Sequence, residues 1–390
     1  MRMRFVAWCL ALFLVVSCVP VQSPPPTDMQ LTRATLDASL AQGRKFLLAN
    51  QRDEGNFRYE VNFLTGEETA DDNQVRQAGA LWGLALVHAD APTSATRDAL
   101  LRGFAFFADH SSALPDGRML VTYPGKKFGK TGTVALLTLA LIDFLRTEDQ
   151  SRYPELYDHL LGYSAFLWSL RNENGQFFEN YEFDDGSGWG GPSPYFDGET
   201  LLALTRAVKE FGVPLPAEEL VISADAMIRS HVTKALAADP DSAITKGFYQ
   251  WGTMSFLELA TSELKDTDRF ARQAIDLAHW MIDIHRTLDR TRNTAYAYEG
   301  IISAYALAQR TGDTAAAQKF AHVIDRGLAK LTSWQVGGPM SNVYLQEHSA
   351  QDPRAVGGIM NAEDEPLLRI DVTQHQMHAV ILARRYVYRE

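Results

Sequence analysis

The run Ala78-Gly79-Ala80-Leu81-Trp82-Gly83-Leu84-Ala85-Leu86 decides the architecture. It is apolar all round and rich in small residues, and a helix of that kind is buried on every side. Comparable runs recur at Val134-Ala135-Leu136-Leu137-Thr138-Leu139-Ala140-Leu141, Leu201-Leu202-Ala203-Leu204 and Ile301-Ile302-Ser303-Ala304-Tyr305-Ala306. Between them lie segments charged on one face, such as those with Arg269, Arg272, Asp276 and Asp283, or with Lys319, Asp325, Arg326 and Lys330. Outward from these runs, apolar periodicity predicts helices over 31–50, 73–89, 94–110, 131–147, 153–171, 197–211, 216–235, 248–265, 267–287, 293–311, 314–332 and 371–388. Buried and half-exposed helices in alternation give two concentric layers, and about six hairpins close a ring. The expected fold class is all-α: an α/α toroid of about six helical hairpins, with short β-hairpins in its loops.

The loops carry an internal echo. Asp53-Glu54-Gly55-Asn56-Phe57, Pro115-Asp116-Gly117-Arg118-Met119 and Glu173-Asn174-Gly175-Gln176-Phe177 follow the first, third and fifth helices. Each places a turn glycine before a short alternating stretch, which predicts a β-hairpin at the same end of each repeat. Residues 333–368 are long and poor in helix signals, as expected of a functional lid on a rigid scaffold.

The N-terminus reads as a leader. Arg2 and Arg4 precede an apolar run, Phe5 to Val16, too short to span a bilayer but of signal-peptide length. Val15-Val16-Ser17-Cys18 then resembles a bacterial lipobox, with Cys18 as the acylated residue. Val19 in place of aspartate favours the outer membrane. The expected organisation is a signal peptide over 1–17, lipidated Cys18 with a Pro-rich tether over 18–30, and a toroid over 31–390. Cys9 and Cys18 are the only cysteines, so thiol catalysis, zinc thiolates and iron–sulfur clusters are excluded from the domain. A net charge of −11 argues against nucleic acid as a partner and leaves the lipid as the membrane contact.

Polar residues collect before or within the first turns of the even-numbered helices: Asn73 and Arg76, Thr131 to Thr133, Tyr195, Asp197 and Glu199, Tyr249 to Trp251, Asn293 to Glu299, and Arg369, Asp371 and His375. Helices standing in parallel inside a ring would aim all of these at one mouth. Each has a plainer role open to it. Asn73, Asn293 or Asp371 is able to cap its helix, Glu199 and Glu299 suit a first turn, and Trp251 and Tyr298 suit a core. The glycine-rich loop Asp184 to Tyr195 adds Trp189 and Tyr195, placed to stack on a sugar ring.

The succession Asn73-x-x-Arg76-Gln77-x-Gly79-Ala80, Thr131-Gly132-Thr133, Tyr195-Phe196-Asp197-Gly198-Glu199-Thr200-Leu201-Leu202-Ala203-Leu204, Tyr298-Glu299-Gly300 and Arg369-Ile370-Asp371-x-x-Gln374-His375 resembles the six-hairpin toroid superfamily of glycan hydrolases, uronate lyases and glucuronyl epimerases. The resemblance covers about residues 31–390 and is one of architecture and motif placement. Together with the leader, it leads to the expectation of an envelope enzyme acting on an extracytoplasmic glycan or other small polar substrate. Hydrolysis needs two carboxylates across the scissile bond, and Glu199 with Asp371, or Glu299 in substitution, forms the expected pair. Arg76 or Arg369 would bind a uronate, and Trp189, Tyr195, Trp251 and Tyr298 complete the expected sugar contacts. His375 or Tyr298 would serve instead as base and acid in a lyase or epimerase. The alternative is a non-catalytic polysaccharide-binding or envelope-assembly protein. A metal site from Asp371, His375 and a glutamate lacks a second histidine, and no P-loop, G-x-S-x-G, H-E-x-x-H or paired C-x-x-C is present, so no cofactor or metal is expected.

Overall fold

A computed structural model describes residues 31–389 of the 390-residue chain. The expected signal peptide, Cys18 and tether lie outside the described residues. The helices are α1 (Arg33–Ala49), α2 (Gln74–Asp90), α3 (Ser94–Asp109), α4 (Thr131–Thr147), α5 (Pro154–Ser169), α6 (Pro194–Phe211) and α7 (Ala217–Met227). α7 continues through a π-helical stretch, Ile228–Lys234, into α8 (Ala235–Ala238). There follow α9 (Ala243–Ala260), α10 (Arg269–Asp283), α11 (Ala295–Thr311), α12 (Thr314–Thr332), the short α13 (Val343–Glu347) and α14 (Ile370–Tyr386).

Six of these make the inner wall. α2 packs on α4, α4 on α6, α6 on α9, α9 on α11, α11 on α14, and α14 returns to α2. The ring is closed, as the alternation of apolar and one-sided helices requires. α4 is buried from Thr131 to Leu145 and α2 from Gln77 to His88, because each has a helix on both flanks and another behind. α1, α3, α5, α7, α10 and α12 form the outer layer.

Two helix starts differ from the sequence reading. α9 begins at Ala243 rather than 248, because Ser242 Oγ accepts the Ile244 N–H at 3.2 Å and caps the helix ahead of Gly247. α6 begins at Pro194, whose fixed φ and missing N–H suit a first turn.

The three glycine turns are built alike. Gly55, Gly117 and Gly175 have φ of +104°, +87° and +84°, which only glycine adopts without strain. The flanking bonds Arg52 N–Asn56 O, Leu114 N–Arg118 O and Asn172 N–Gln176 O span 2.7, 2.7 and 2.8 Å. Only the second turn grows strands, β2 (Ser111–Ala113) against β3 (Met119–Val121); the others hold single bridges, Gln51 to Phe57 and Arg171 to Phe177. β4 (Gly129–Lys130), β5 (Asn180–Tyr181) and β6 (Gly188–Trp189) form a small antiparallel sheet.

The segment expected to be a lid is a brace instead. No residue from 333 to 368 lines the central cleft. Its Ile359 and Met360 are fully buried, and its end, β7 (Leu367–Arg369), pairs antiparallel with β1 (Glu60–Asn62) near the chain start. Arg58 meets Asp352 at 3.0 Å and Gln335 Nε2 donates to Ser39 O at 3.0 Å, so the long segment stitches the last hairpin to the first.

Candidate active site

The inner helices all start at one end and open there into a cleft of about 1190 Å³. Each contributes from its early turns: Arg76, Leu136, Glu199, Trp251, Tyr296 and His375 stand on α2, α4, α6, α9, α11 and α14 respectively.

Glu199 is 4% exposed, and its Oε2 has no hydrogen-bond partner. Burial raises its carboxyl to about 8, so it stays protonated near neutrality. Gly132 makes this placement feasible: a Cβ there would lie 2.3 Å from Glu199 Oε2 and 2.5 Å from the Phe196 ring.

Asp371 does not cap α14. Arg369 grips it from two sides, Nε to Oδ1 at 2.6 Å and Nη2 to Oδ2 at 3.0 Å, and Arg76 Nε adds a third contact at 3.3 Å. Arg76 also donates to the Tyr59 hydroxyl. Asn73 and Asn293 are caps, accepting from Val75 and Arg76, and from Ala295. The other cleft carboxylates are likewise engaged. Asp72 accepts from Gln77 and Tyr123, and Asp241 faces His285 Nδ1 and Arg290. Glu199 is therefore the one cleft carboxyl, among the described residues, with an oxygen left over.

His375 lines the cleft with its Nδ1 turned inward, 3.2 Å from Glu299 Oε1. The same oxygen receives His378 Nδ1 at 3.2 Å, and Gln250 Nε2 donates to Oε2. Glu299 is fully buried, so it cannot touch a substrate and does not replace Asp371 in a carboxylate pair; it acts on His375. Burial alone would lower His375, but the Glu299 charge and hydrogen bond outweigh it and raise the imidazole. Burial likewise favours a neutral Glu299, yet the two imidazoles hold it below the ordinary glutamate value. With Nδ1 committed to the carboxylate, Nε2 is the nitrogen left for the cleft. Beneath, Trp251 lies 5.7 Å from Trp82 and 6.1 Å from His375, ring centre to centre, forming an aromatic floor.

Two expected sugar contacts are not at the cleft. Tyr298 is fully buried and turned to the outer layer: a Cβ on Gly327 of α12 would collide with its ring. It is therefore neither base nor acid here. Trp189 stands one residue back, edge-on to Phe128 at 5.1 Å, and Phe128 rather than Trp189 lines the cleft. Tyr195, 45% exposed, Trp251 and both arginines do line it. Asp197 is structural, accepting the Phe177 N–H at 2.8 Å and His231 Nε2 at 2.6 Å. The sequence reading missed Tyr59, Lys246, Arg290 and His378. Of these only His378 left a signal, its three-residue spacing from His375. Among the described residues no group of three His, Cys, Asp or Glu is arranged to hold a metal ion.

Several solved structures share this fold. A sugar epimerase from a ruminal bacterium superposes with a TM-score of 0.60 at 13% identity, covering 89% of this chain and 98% of its own. An inactivated alpha-1,6-mannanase of a Salegentibacter species, in complex with alpha-1,6-mannotetrose, gives 0.59 at 10%, covering 90% and 98%. A cellobiose 2-epimerase from Spirochaeta thermophila gives 0.54 at 18%, covering 89% and 96%. No known family model and no curated protein matches the sequence. The chain thus has the six-hairpin α/α-toroid fold found in glycan hydrolases and sugar epimerases, and at these identities the likeness is one of fold.

Proposed function

We propose that this protein is a saccharide-directed enzyme that moves a proton at a sugar carbon, an epimerase or lyase, with His375 as base and Glu199 as acid. The observation that carries this is the buried, unpartnered Glu199 carboxyl sharing a cleft with a carboxylate-backed imidazole. His375 Nε2 takes the proton from a carbon beside a carbonyl or carboxylate. In a lyase the electron pair expels an oxygen from the next carbon, which leaves with the Glu199 proton. In an epimerase the pair passes to the carbonyl oxygen, which Glu199 protonates, and the enol then returns that proton to Glu199 while solvent reprotonates the carbon on its other face. Hydrolysis needs a second free carboxylate for water or attack. Asp371 is consumed by two arginines, so its role is to hold Arg76 and Arg369 against the substrate rather than to pair with Glu199. The sugar rings would lie on Trp251 and Tyr195. Attachment of lipid at Cys18 would place the cleft at the cell envelope.

The test is incubation with candidate mono- and oligosaccharides in deuterated water, read by NMR and by the ultraviolet absorbance of a new carbon–carbon double bond. Deuterium uptake at a sugar carbon, or unsaturation, is expected, with Glu199→Gln and His375→Asn each slower by roughly 100-fold or more. New reducing ends without deuterium at carbon would mean hydrolysis and overturn the proposal. So would full turnover by both variants. Saccharides that raise the melting temperature but are never altered would favour the binding-protein alternative.

A further inference from the structure

The cleft reverses the charge of the chain that carries it. The sequence has 48 acidic and 37 basic residues, yet eight Lys and Arg side chains line the cleft against four Asp and Glu. One of those four, Glu199, is held neutral by burial. Most of the cations have a carboxylate beside them: Lys130 meets Glu179 at 2.8 Å, Arg292 meets Glu365 at 3.0 Å, and Arg76 and Arg369 share Asp371. Lys246 does not. It stands in the first turns of α9, half-buried, with Nζ 5.3 Å from the Tyr296 ring centre and no carboxylate within ion-pair distance among the described residues.

Its charged neighbour makes the position worse rather than better. Burial, and then the Arg290 charge, hold Lys246 below the ordinary lysine range. Arg290 is fixed by Nε and Nη2, which donate to His285 O at 3.0 and 2.7 Å. It shares the half-exposed Asp241 with His285, so that carboxylate offsets it only in part. Two cations lining one cleft and near enough for the charge of one to act on the other, one of them without a counter-charge, form a site that an anion would complete.

The geometry points to an anion subsite at Lys246 and Arg290, separate from the Arg76–Arg369 clamp, that takes a carboxylate or ester sulfate carried by the saccharide. It rests on the saccharide reading above and narrows the substrate to an acidic sugar. The Tyr296 ring beside Lys246 offers an apolar face for the sugar that carries the anion.

The two claims fail separately. Binding of D-glucuronate, D-glucose 6-sulfate, D-glucose and inorganic sulfate to the full chain is to be measured by calorimetry, with intrinsic tryptophan fluorescence as a second readout. At least one acidic sugar should bind about tenfold or more tighter than glucose, the worth of one charge-assisted hydrogen bond. Lys246→Met should abolish that preference and Lys246→Arg should keep it. Equal affinity for acidic and neutral sugars, binding of none, or an unchanged preference in Lys246→Met overturns the subsite. Binding of inorganic sulfate without either acidic sugar overturns its assignment to a saccharide. Full turnover by Glu199→Gln removes the acid and leaves the subsite standing.

Discussion

Glu199 stores a cost that depends on pH. Its folded value of about 8 lies above the 4.5 of a free glutamate, so the folded state holds the proton more tightly. That contribution is complete below pH 4.5 and is lost as pH rises through 8. By pH 7 about 3 kcal/mol of it is already lost, at about 1.4 kcal/mol per unit. Glu199→Gln, an uncharged isostere, should therefore unfold at higher urea than the wild type at pH 8, with the difference gone at pH 4.5. Parallel curves for the two proteins across that range would show that Glu199 does not titrate from a raised value. The sequence placed Glu199 in a first turn, but nothing in the string says that Gly132 clears room for its carboxyl or that no donor reaches Oε2. The same limit applies to Asp371, whose neighbours Arg369 and Arg76 are two residues and 295 residues away in sequence.

At the scale of the helices, the far end of the barrel is held by charge. Asp143 on α4 accepts from Arg206 Nη1 and Nη2 on α6, at 2.9 and 2.8 Å, and from Trp82 Nε1 on α2 at 2.8 Å. Burial alone would raise this carboxyl, but Arg206 first, then Arg146 and the Trp82 N–H, bring it down to about 2. Three neighbouring inner helices are thus tied where no cleft is needed. Asp143→Ala leaves Arg206 buried and unpaired, and should cost about 3–5 kcal/mol in urea unfolding. Asp143→Leu with Arg206→Met should recover much of that loss. A single substitution costing under about 1 kcal/mol would show the pair to be solvated. The helices themselves were legible from periodicity and end signals. The start of α9 was not, because the apolar run begins near residue 248 while the cap, Ser242, lies six residues ahead of it.

For the whole molecule, the closed ring makes the cleft. Six first turns face one mouth only because α14 returns to α2 and β7 pairs with β1. The proposed envelope placement is a separate matter, read from Cys18 and the apolar run before it in the sequence alone. In a bacterial host the full chain should incorporate labelled palmitate and fractionate with membranes, and Cys18→Ser should do neither. Equal labelling of both chains would remove the anchor without touching the toroid. The sequence by itself determined the ring, the pairing of helices and the end at which polar groups gather, because apolar periodicity and glycine turns are local and repeat along the chain. Only the tertiary structure decided which of those groups is free to react. Whether a carboxyl is spent on an arginine, buried alone or hidden behind a histidine depends on atoms brought from other helices, and the fold alone sets those distances.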